Sequence, residues 1–202
     1  IGAGPAGLCA ARALADTGLK IVIVERQSES LFSSPAFDGR EIALTHHSAK
    51  LLRELGMWSR IAPQAISPLR DARIFNGASL SSINIGHQDT QQNELGYLIS
   101  NNVIRQAAYD EVKSSPTITL IADAQVTNIQ NDTHGVQVTL ANKETVQAKL
   151  LIGADSRFSE TRRAMGIAAD MHDFGKTMMV CVMEHSVSLG HTAWVWFDYW
   201  QP

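Results

Sequence analysis

Three glycines near the start of the chain constrain its fold more than any other feature. Gly2, Gly4 and Gly7 form the pattern G-x-G-x-x-G between the apolar Ile1 and an amphipathic helical stretch. In this pattern the first glycine allows a tight turn, the second lets the backbone approach a pyrophosphate, and the third lets the helix pack closely on a strand. Unpaired N–H groups and the helix dipole favour negative charge at the amino end of such a helix. The pattern therefore predicts an α/β unit with a phosphate site.

An acidic residue narrows the kind of ligand. The segment KIVIVE reads as a short buried strand that ends in Glu25, 18 residues after Gly7. A carboxylate at this place accepts hydrogen bonds from the hydroxyls of an adenosine ribose. A Gly-rich turn alone also occurs without a ligand, and a strand-end carboxylate alone is often simply solvated. Together the two features predict dinucleotide binding.

Composition argues against several other classes of protein. The 202 residues are 45% hydrophobic and 18% charged, which is typical of a chain with a packed core. The net charge of −3 and the lack of a Lys and Arg cluster argue against a nucleic-acid partner. Cys9 and Cys181 lie in apolar stretches, which predicts buried free thiols in a reducing, cytoplasmic setting. No stretch approaches the roughly 20 apolar residues of a membrane span, and peripheral membrane contact stays open.

Apolar periodicity predicts alternating helices and strands after the first turn. We expect helices at 9–18, 46–58 and 101–114, with Leu51, Leu52 and Leu55 on one side of the second. Two alternating runs around NGAS predict a hairpin over 69–85 that interrupts the α/β order. Further strands are predicted at 118–122, 124–130, 136–141, 148–155, 176–185 and 191–197, and a helix begins near 157. Because so short a strand remnant precedes the first turn, and because no cap follows the last strand, we expect the natural protein to extend further at both ends.

Two motifs resemble known flavoproteins. GAGPAG, followed by a helix, Gly18 and IVIVER, resembles the FAD-binding opening of the glutathione-reductase-type flavoproteins. LLIGADSRFSETRR at 150–163 resembles the G-A-D-G-x-x-S-x-x-R segment of the flavin-dependent aromatic hydroxylases typified by p-hydroxybenzoate hydroxylase. The first resemblance favours FAD over NAD, and the second indicates the subfamily.

The second motif places a carboxylate at a strand end. A buried strand would deliver Asp155 as an acceptor for ribityl hydroxyls, while Gly153 keeps the approach narrow. Ser159 and Arg162 match the family's serine and arginine, which the resemblance links to the loop, to FAD and to the nicotinamide cofactor. Ser156 occupies the family's second glycine, so a positive φ there would be costly for this chain.

A third match points to the ubiquinone-biosynthesis hydroxylases. FDGREIALTHHSAKLLRELGMW at 37–58 resembles their D-x-R-x-x-A-L…S…L…L-G-x-W stretch, which implies that Arg40 lies near the flavin and its pyrophosphate. A guanidinium there could also stabilise a negatively charged reduced flavin; a plain surface arginine is the alternative. SNNVIRQAAYDEV resembles the family's N-R-x-L-x-x-x-L helix, but Asn102 replaces the arginine, so a pyrophosphate contact would fall to Gln106 or Arg105.

The resemblances imply a glutathione-reductase-type FAD-binding Rossmann domain with an inserted, mostly antiparallel β-sheet substrate domain that is incomplete in this chain. We expect residues 1–66 and 99–170 to form the FAD-binding domain and 67–98 and 171–202 to form part of the substrate domain. The residues expected to bind the cofactor are Gly2, Gly4, Pro5, Ala6, Gly7, Glu25, Arg26, Arg40, Gln106, Val126, Gly153 and Asp155.

The implied activity is that of an FAD-dependent monooxygenase, in which NAD(P)H and O2 support hydroxylation of an aromatic substrate. The third match narrows the substrate to a polyprenylated phenol, a ubiquinone precursor. One alternative is another FAD enzyme of the same fold, which catalyses halogenation or prenyl reduction. A halogenase would carry the motif Trp-x-Trp-x-x-Ile, but in this chain Tyr199 stands at the position of the isoleucine after Trp194 and Trp196. The other is a non-catalytic dinucleotide-binding fragment, because the family's later G-D-A motif is absent from the chain.

For several histidines and tryptophans, a functional role has to be weighed against a structural one. His46 and His47 open a predicted helix without an acidic, nucleophilic or metal-binding partner nearby, so capping or exposure is favoured. His185 and His191 lack further ligands at metal spacing, and no metal is expected. Three tryptophans would line an aromatic substrate pocket, namely Trp194, Trp196 and Trp200. The alternative for Trp194 and Trp196, which share one strand face, is that they belong to the core. No catalytic side chain is identified, and a homo-oligomer stays open.

Overall fold

The computed structural model of the chain describes residues 1–79, 81–177 and 179–197. Its helices are α1 (Pro5–Leu14), α2 (Glu29–Ser33), α3 (His46–Glu54), α4 (Asn101–Lys113) and α5 (Glu160–Ala164). Its strands are β1 (Ile21–Val24), β2 (Glu41–Thr45), β3 (Ser67–Leu69), β4 (Asp71–Asn76), β5 (Ser82–Gly86), β6 (Gly96–Ser100), β7 (Ile118–Ile121), β8 (Val126–Asp132), β9 (Gly135–Leu140), β10 (Thr145–Ala148) and β11 (Thr192–Phe197). Short 3-10 turns lie at Ala15–Thr17, Trp58–Arg60, Pro63–Ala65 and His87–Asp89. The mixed α/β class predicted from the sequence is confirmed.

The Gly-rich turn lies next to a layer of chain segments that are hydrogen-bonded side by side, which we call the parallel layer. β1 and β7 pair in parallel over their whole length. On the other side of β1, the Gly2 N–H donates to the Val24 carbonyl at 2.9 Å, and the Ala154 N–H donates to the Ile1 carbonyl at 2.8 Å. The order across the layer is therefore the segment near Ala154, then Ile1, then β1, then β7.

The first helix begins at Pro5, four residues before the predicted range of 9–18, and the helical segment ends at Gly18 as predicted, through a 3-10 turn at Ala15–Thr17. Pro5 occupies the first turn of α1, where a missing N–H costs nothing because that donor has no partner within the helix. Gly18 follows the 3-10 turn with φ 81°, a left-handed conformation that glycine adopts without strain. The buried side chains of Leu8 and Ala11 then face α4 and the parallel layer.

The other three sheets contain antiparallel pairs. β8, β9 and β10 form one sheet, and β2, β6 and β3 form a second. β4 and β5 form the predicted hairpin, and β11 adds to β4 in parallel. The inserted segment and the end of the described chain thus share one sheet. The proposed domain boundaries stay a prediction.

The main hydrophobic core lies between α1, α4 and the parallel layer. Leu8, Phe32, Met57 and Val112 are each about 1% exposed there. The predicted apolar stripe of α4 is confirmed, since Ile104, Ala107, Ala108 and Val112 are buried and Val103 is partly buried. A second core cluster fills the space beneath the β8–β9–β10 sheet.

Several expectations for this part of the fold are wrong. Residues 149–154 do not form the predicted regular strand, although Ile152 and Ala154 each hydrogen-bond to Ile1 across the layer. The described residues of 176–185 form no strand either, since they pair with no neighbour. Neither of the two thiols that were expected to be buried is fully buried: Cys181 is exposed, and Cys9 is partly buried. β10 was not anticipated as a separate strand.

Candidate cofactor site

The three glycines of the first turn differ in what surrounds them. A Cβ added to Gly2 would lie 2.4 Å from the Ala154 carbonyl oxygen, and one added to Gly7 would lie 2.0 Å from the Gly2 oxygen. A Cβ on Gly4 would meet no atom within 4 Å. Gly2 and Gly7 are therefore required by packing inside the protein. Gly4 instead faces open space at the amino end of α1, as expected of a residue that lets a diphosphate approach the backbone.

Glu25 is attached directly to this turn. Its Oε2 accepts a hydrogen bond from the Ala3 N–H at 2.8 Å, and its Oε1 accepts one from the Gln27 N–H at 2.9 Å. An ionised carboxylate has about four acceptor positions, so both oxygens keep capacity for ribose hydroxyls. The carboxylate thus also fixes the shape of the turn, a role that the sequence did not reveal.

Asp155 caps the short helix that follows it. Its Oδ1 accepts from the Ser159 hydroxyl, and its Oδ2 accepts from the Thr161 N–H at 2.9 Å. Ser159 in turn accepts from the Arg162 N–H at 2.9 Å, so it is the N-cap of α5. Burial acts to raise the pKa of Asp155, but the hydrogen bonds from Ser159 and Thr161 outweigh it and hold the pKa below its ordinary value. Binding of ribityl hydroxyls by Asp155 stays a prediction.

The glycine and serine of this motif have distinct roles. A Cβ on Gly153 would lie 3.0 Å from the Thr161 Cγ2, so glycine lets α5 pack closely against the preceding segment. Ser156, which stands where the family has glycine, has φ 85°. The positive φ that the motif implied is therefore present, and a serine adopts it at a cost.

One groove brings the two carboxylates together. A cavity of about 560 Å³ lies between the carboxyl end of β1, the first residues of β8 and α5. Five of the predicted cofactor residues line it, namely Gly2, Glu25, Arg26, Val126 and Asp155. Gly4, Pro5, Ala6 and Gly7 form the adjoining turn and the start of α1. Phe158 and Arg163 also line the groove and were not predicted.

Arg40 lies apart from the lining of this groove. Its Nε donates to Asp38 Oδ2 at 2.9 Å, and this hydrogen bond from Arg40 holds the pKa of Asp38 well below its ordinary value. Asn101 donates to the same oxygen at 2.8 Å, and its N–H donates to the Arg40 carbonyl at 2.9 Å. Arg40 is thus fixed at the amino end of α4. The sequence did not identify Asp38 as its partner.

The polar side chains of α4 that were considered for a pyrophosphate contact do not line the groove. Gln106 donates from Nε2 to Asp110 Oδ1 at 2.9 Å within the helix and does not line the groove. Asn102, where the family carries an arginine, has a buried Oδ1 with no partner among the described residues. A pyrophosphate contact from this helix stays a prediction.

The histidines and tryptophans to which the sequence assigned no catalytic role have the following surroundings. Thr45 caps α3 through the Ser48 N–H, and His46 lies with Nε2 2.8 Å from the Glu94 carbonyl. Trp194 and Trp196 are 39% and 59% exposed, so the interpretation of these two as core residues is wrong. Trp200 and Tyr199 lie outside the described residues. No helix of the described part of the chain has the length and hydropathy needed to cross a bilayer.

The site fits an FAD molecule on the grounds of its own structure. The open space at Gly4 would admit a diphosphate to the amino end of α1, and Glu25 stands at the edge of the same turn with acceptor capacity for a ribose. The groove then continues past Arg26 and Val126. These features match an adenosine diphosphate portion in hydrogen-bonding character.

Several relatives of the chain are hydroxylases. It is 44% identical to the ubiquinone hydroxylase UbiM of Neisseria meningitidis over 98% of this chain and 44% of that protein. It is 31% identical to the ubiquinone hydroxylase UbiL of Rhodospirillum rubrum over 93% of this chain and 43% of that protein. It is 24% identical to the 3-demethoxyubiquinol 3-hydroxylase of Escherichia coli over 98% of this chain and 50% of that protein. The chain therefore spans about half the length of these relatives or less.

Solved structures share the fold at low sequence identity. PqsL of Pseudomonas aeruginosa in complex with 2-aminobenzoylacetate superposes with a TM-score of 0.71 at 16% identity, covering 86% of this chain and 46% of that one. The flavin-dependent monooxygenase PieE, in complex with FAD and substrate, gives 0.67 at 22% identity, covering 84% and 31%. The family model of the FAD binding domain matches residues 1–200. The chain belongs to the FAD-binding domain family.

Proposed function

We propose that the protein containing this chain is an FAD-dependent monooxygenase that hydroxylates the ring of a polyprenylated phenol, a ubiquinone precursor. NAD(P)H serves as the reductant and O2 as the source of the hydroxyl oxygen. The names of the hydroxylases UbiM and UbiL support the substrate class, and the family supports the cofactor.

The observation that carries the proposal is the shared groove of Glu25 and Asp155. Both carboxylates line one cavity, and that cavity adjoins the open backbone at Gly4. A dinucleotide needs an anion site flanked by acceptors for its sugar hydroxyls. This chain supplies the three features side by side.

The chain's own residues bind and orient the cofactor. The N–H groups at the start of α1 would hold the diphosphate, and Glu25, which keeps Ala3 in place, would hold the ribose. Arg26, Val126 and Asp155 line the groove. Arg26 and Val126 would flank the adenosine portion, and Asp155 with the nearby Gly153 would border the path toward the ribityl chain. Bound FAD supplies the redox and oxygen chemistry, so the protein needs few acid–base side chains of its own.

Arg40 has a separate part in the proposal. Its guanidinium, fixed by Asp38 near the start of α4, would stabilise negative charge on the flavin or on its pyrophosphate. Gln106 or Arg105 supplies a further polar contact from the same helix. The enzyme works in the cytoplasm, in contact with the membrane surface in which a polyprenylated phenol dissolves.

A reduction and reoxidation experiment tests the proposal. The full-length protein, loaded with FAD, is reduced with NADPH under anaerobic conditions and then exposed to ¹⁸O2 with a short-chain prenylphenol. We expect a hydroxylated phenol that carries ¹⁸O, detected by mass spectrometry. Reduction of the flavin without a hydroxylated product from any phenol would contradict the proposal. A halogenated product in the presence of chloride or bromide would favour the halogenase instead.

A further inference from the structure

An exposed aromatic side chain lines the cofactor groove from the α5 side. Phe158 lies two residues before α5, lines the same groove as Glu25, and is 54% exposed. Covering a large aromatic side chain is strongly favourable, and its flat ring suits a planar partner. Phe158 therefore marks a place in the groove where a ring of the ligand can lie.

One face of the Phe158 ring is already covered within the protein. The Arg157 guanidinium lies over this ring, 4.6 Å from its centroid, where a cation is attracted to the aromatic face. Arg157 does not line the groove, whereas Phe158 does. The side of the ring that borders the groove is therefore the side that Arg157 leaves open, and it has room for one further planar group.

Arg163 supplies hydrogen-bond donors beside this ring. It lines the groove, and its Nη2 donates to the Phe158 carbonyl at 3.3 Å. Among the residues that the structure describes, no carboxylate forms an ion pair with Arg163 or with Arg26, which lines the groove from the β1 side. A guanidinium has five N–H donors, so Arg163 keeps donors for an acceptor in the groove. The α5 side thus offers a flat apolar face and donors next to each other.

We propose that Phe158 and Arg163 bind the adenine of FAD, with the base stacked on the open face of Phe158 and a ring nitrogen accepting a hydrogen bond from Arg163. The inference rests on the cofactor part of the proposed function, in which Glu25 binds the adenosine ribose. The base is joined directly to that ribose, so it has to lie in the same groove. Adenine fits both residues, because it is planar and stacks on aromatic side chains and because its ring nitrogens accept hydrogen bonds.

Titration of the full-length apoprotein with FAD and with ADP tests the inference. ADP contains the adenine, the ribose and the diphosphate but no flavin. We expect Phe158→Leu to raise the Kd of both ligands about tenfold, measured by isothermal titration calorimetry, because one stacked base is lost. Phe158→Tyr keeps a ring and should stay within about threefold of the wild type. Arg163→Gln should raise both Kd values about fivefold. Phe174→Leu, at an exposed phenylalanine that does not line the groove, is the matched control and should leave both unchanged.

NADPH also contains adenine, so a second measurement separates the two cofactors. With the flavin site saturated by FAD, anaerobic reduction of the flavin at increasing NADPH concentrations gives the Kd for NADPH by stopped-flow absorbance. We expect Phe158→Leu to leave this Kd unchanged. A raised Kd for NADPH together with unchanged Kd values for FAD and ADP would assign the ring to the nicotinamide cofactor and overturn the inference.

Two further outcomes would overturn it. One is an unchanged Kd for FAD and ADP in both Phe158→Leu and Arg163→Gln, with normal circular dichroism. The other is a Kd that rises for FAD but not for ADP, which would place Phe158 beside the flavin. Turnover is measured separately on the same proteins. Binding of FAD and ADP that depends on Phe158, without hydroxylation of any phenol, supports the adenine site and refutes the proposed function. Hydroxylation by the wild type with FAD binding that neither substitution weakens does the reverse.

Discussion

Substitution of Gly4 should weaken cofactor binding with little effect on the stability of the fold. Its backbone has φ −72° and ψ 173°, which an alanine also adopts, and an added Cβ meets no atom within 4 Å. We expect Gly4→Ala to lower the free energy of unfolding of the apoprotein by less than about 1 kcal/mol. The same methyl group occupies the approach of the diphosphate, so the Kd for FAD should rise by at least about tenfold, measured by flavin fluorescence.

Gly2 provides the matched comparison. It has φ 103°, and its Cβ would lie 2.4 Å from the Ala154 oxygen, so Gly2→Ala strains the fold itself. We expect a loss of at least about 2 kcal/mol in the free energy of unfolding of the apoprotein. Equal destabilisation by Gly2→Ala and Gly4→Ala would show that both glycines serve packing, against the account.

Ser156 carries strain that a single substitution should remove. Its φ of 85° is costly for any residue with a Cβ. We expect Ser156→Gly to raise the free energy of unfolding by about 1 kcal/mol, measured by urea denaturation. Lys143→Gly, at φ 70° in the turn between β9 and β10, is a control that should also stabilise but leave FAD affinity unchanged. A destabilised Ser156→Gly protein would show that the serine hydroxyl outweighs the strain.

At the scale of elements, α5 depends on a cap formed by two side chains. Ser159→Ala removes the acceptor for the Arg162 N–H and the donor to Asp155. The loss of an N-cap costs about 1 kcal/mol, which thermal or urea unfolding near neutral pH should detect. Thr90→Ala, in an exposed turn, removes a hydroxyl without a cap of this kind and should cost less.

The same substitution has a consequence at acid pH. Because the folded pKa of Asp155 is lowered, its contribution to stability is present above the unfolded value of about 3.9 and is lost as pH falls through the folded pKa. Without the Ser159 hydroxyl, the folded pKa moves toward the unfolded one. Stability should therefore fall less steeply with decreasing pH below about 4 in Ser159→Ala than in the wild type. A steeper fall would contradict the assigned hydrogen bonds.

Glu111 joins three elements. From α4 it accepts from Arg12 of α1 at 3.0 Å and from Arg60 of the Trp58–Arg60 turn at 2.6 Å, and its side chain is 14% exposed. We expect Glu111→Gln to cost about 2 kcal/mol in the free energy of unfolding, because hydrogen bonds to charged partners are the stronger ones. Glu54→Gln removes only an exposed pair with Lys50 at 3.8 Å and should cost less than about 0.5 kcal/mol. Similar costs for both would refute the role of Glu111.

Local sequence signals predicted most of the helices and strands. The wrong predictions concern segments whose structure depends on pairing with a distant strand. Gly18 and the spacing of apolar residues predicted the end of the first helical segment and β1, and the β4–β5 hairpin followed from its turn. By contrast, the apolar sequence of 176–185 is strand-like, but a strand forms only where a partner is available. The pairing of β11 with β4 joins residues more than 110 positions apart and has no local signal.

For the whole molecule, the sequence predicted which residues share one groove better than it predicted the contacts among them. The Gly-rich turn, Glu25 and Asp155 were placed correctly beside one groove, because each belongs to a motif with fixed spacing. The hydrogen bond that Glu25 accepts from the Ala3 N–H and the one that Arg40 donates to Asp38 were not predicted. Such contacts depend on rotamers and on the tertiary path of the chain. Phe158 and Arg163 reach the groove for the same reason, through the packing of α5.

A crystal structure of the full-length protein with FAD tests the central claim most directly. The quantity to measure is the distance from the adenosine ribose oxygens to the Glu25 carboxylate, together with the position of the diphosphate relative to Gly4. We expect a ribose hydroxyl within about 3.2 Å of a Glu25 oxygen and a phosphate oxygen at the amino end of α1. A diphosphate bound away from that helix, with the ribose out of reach of Glu25, would contradict the account.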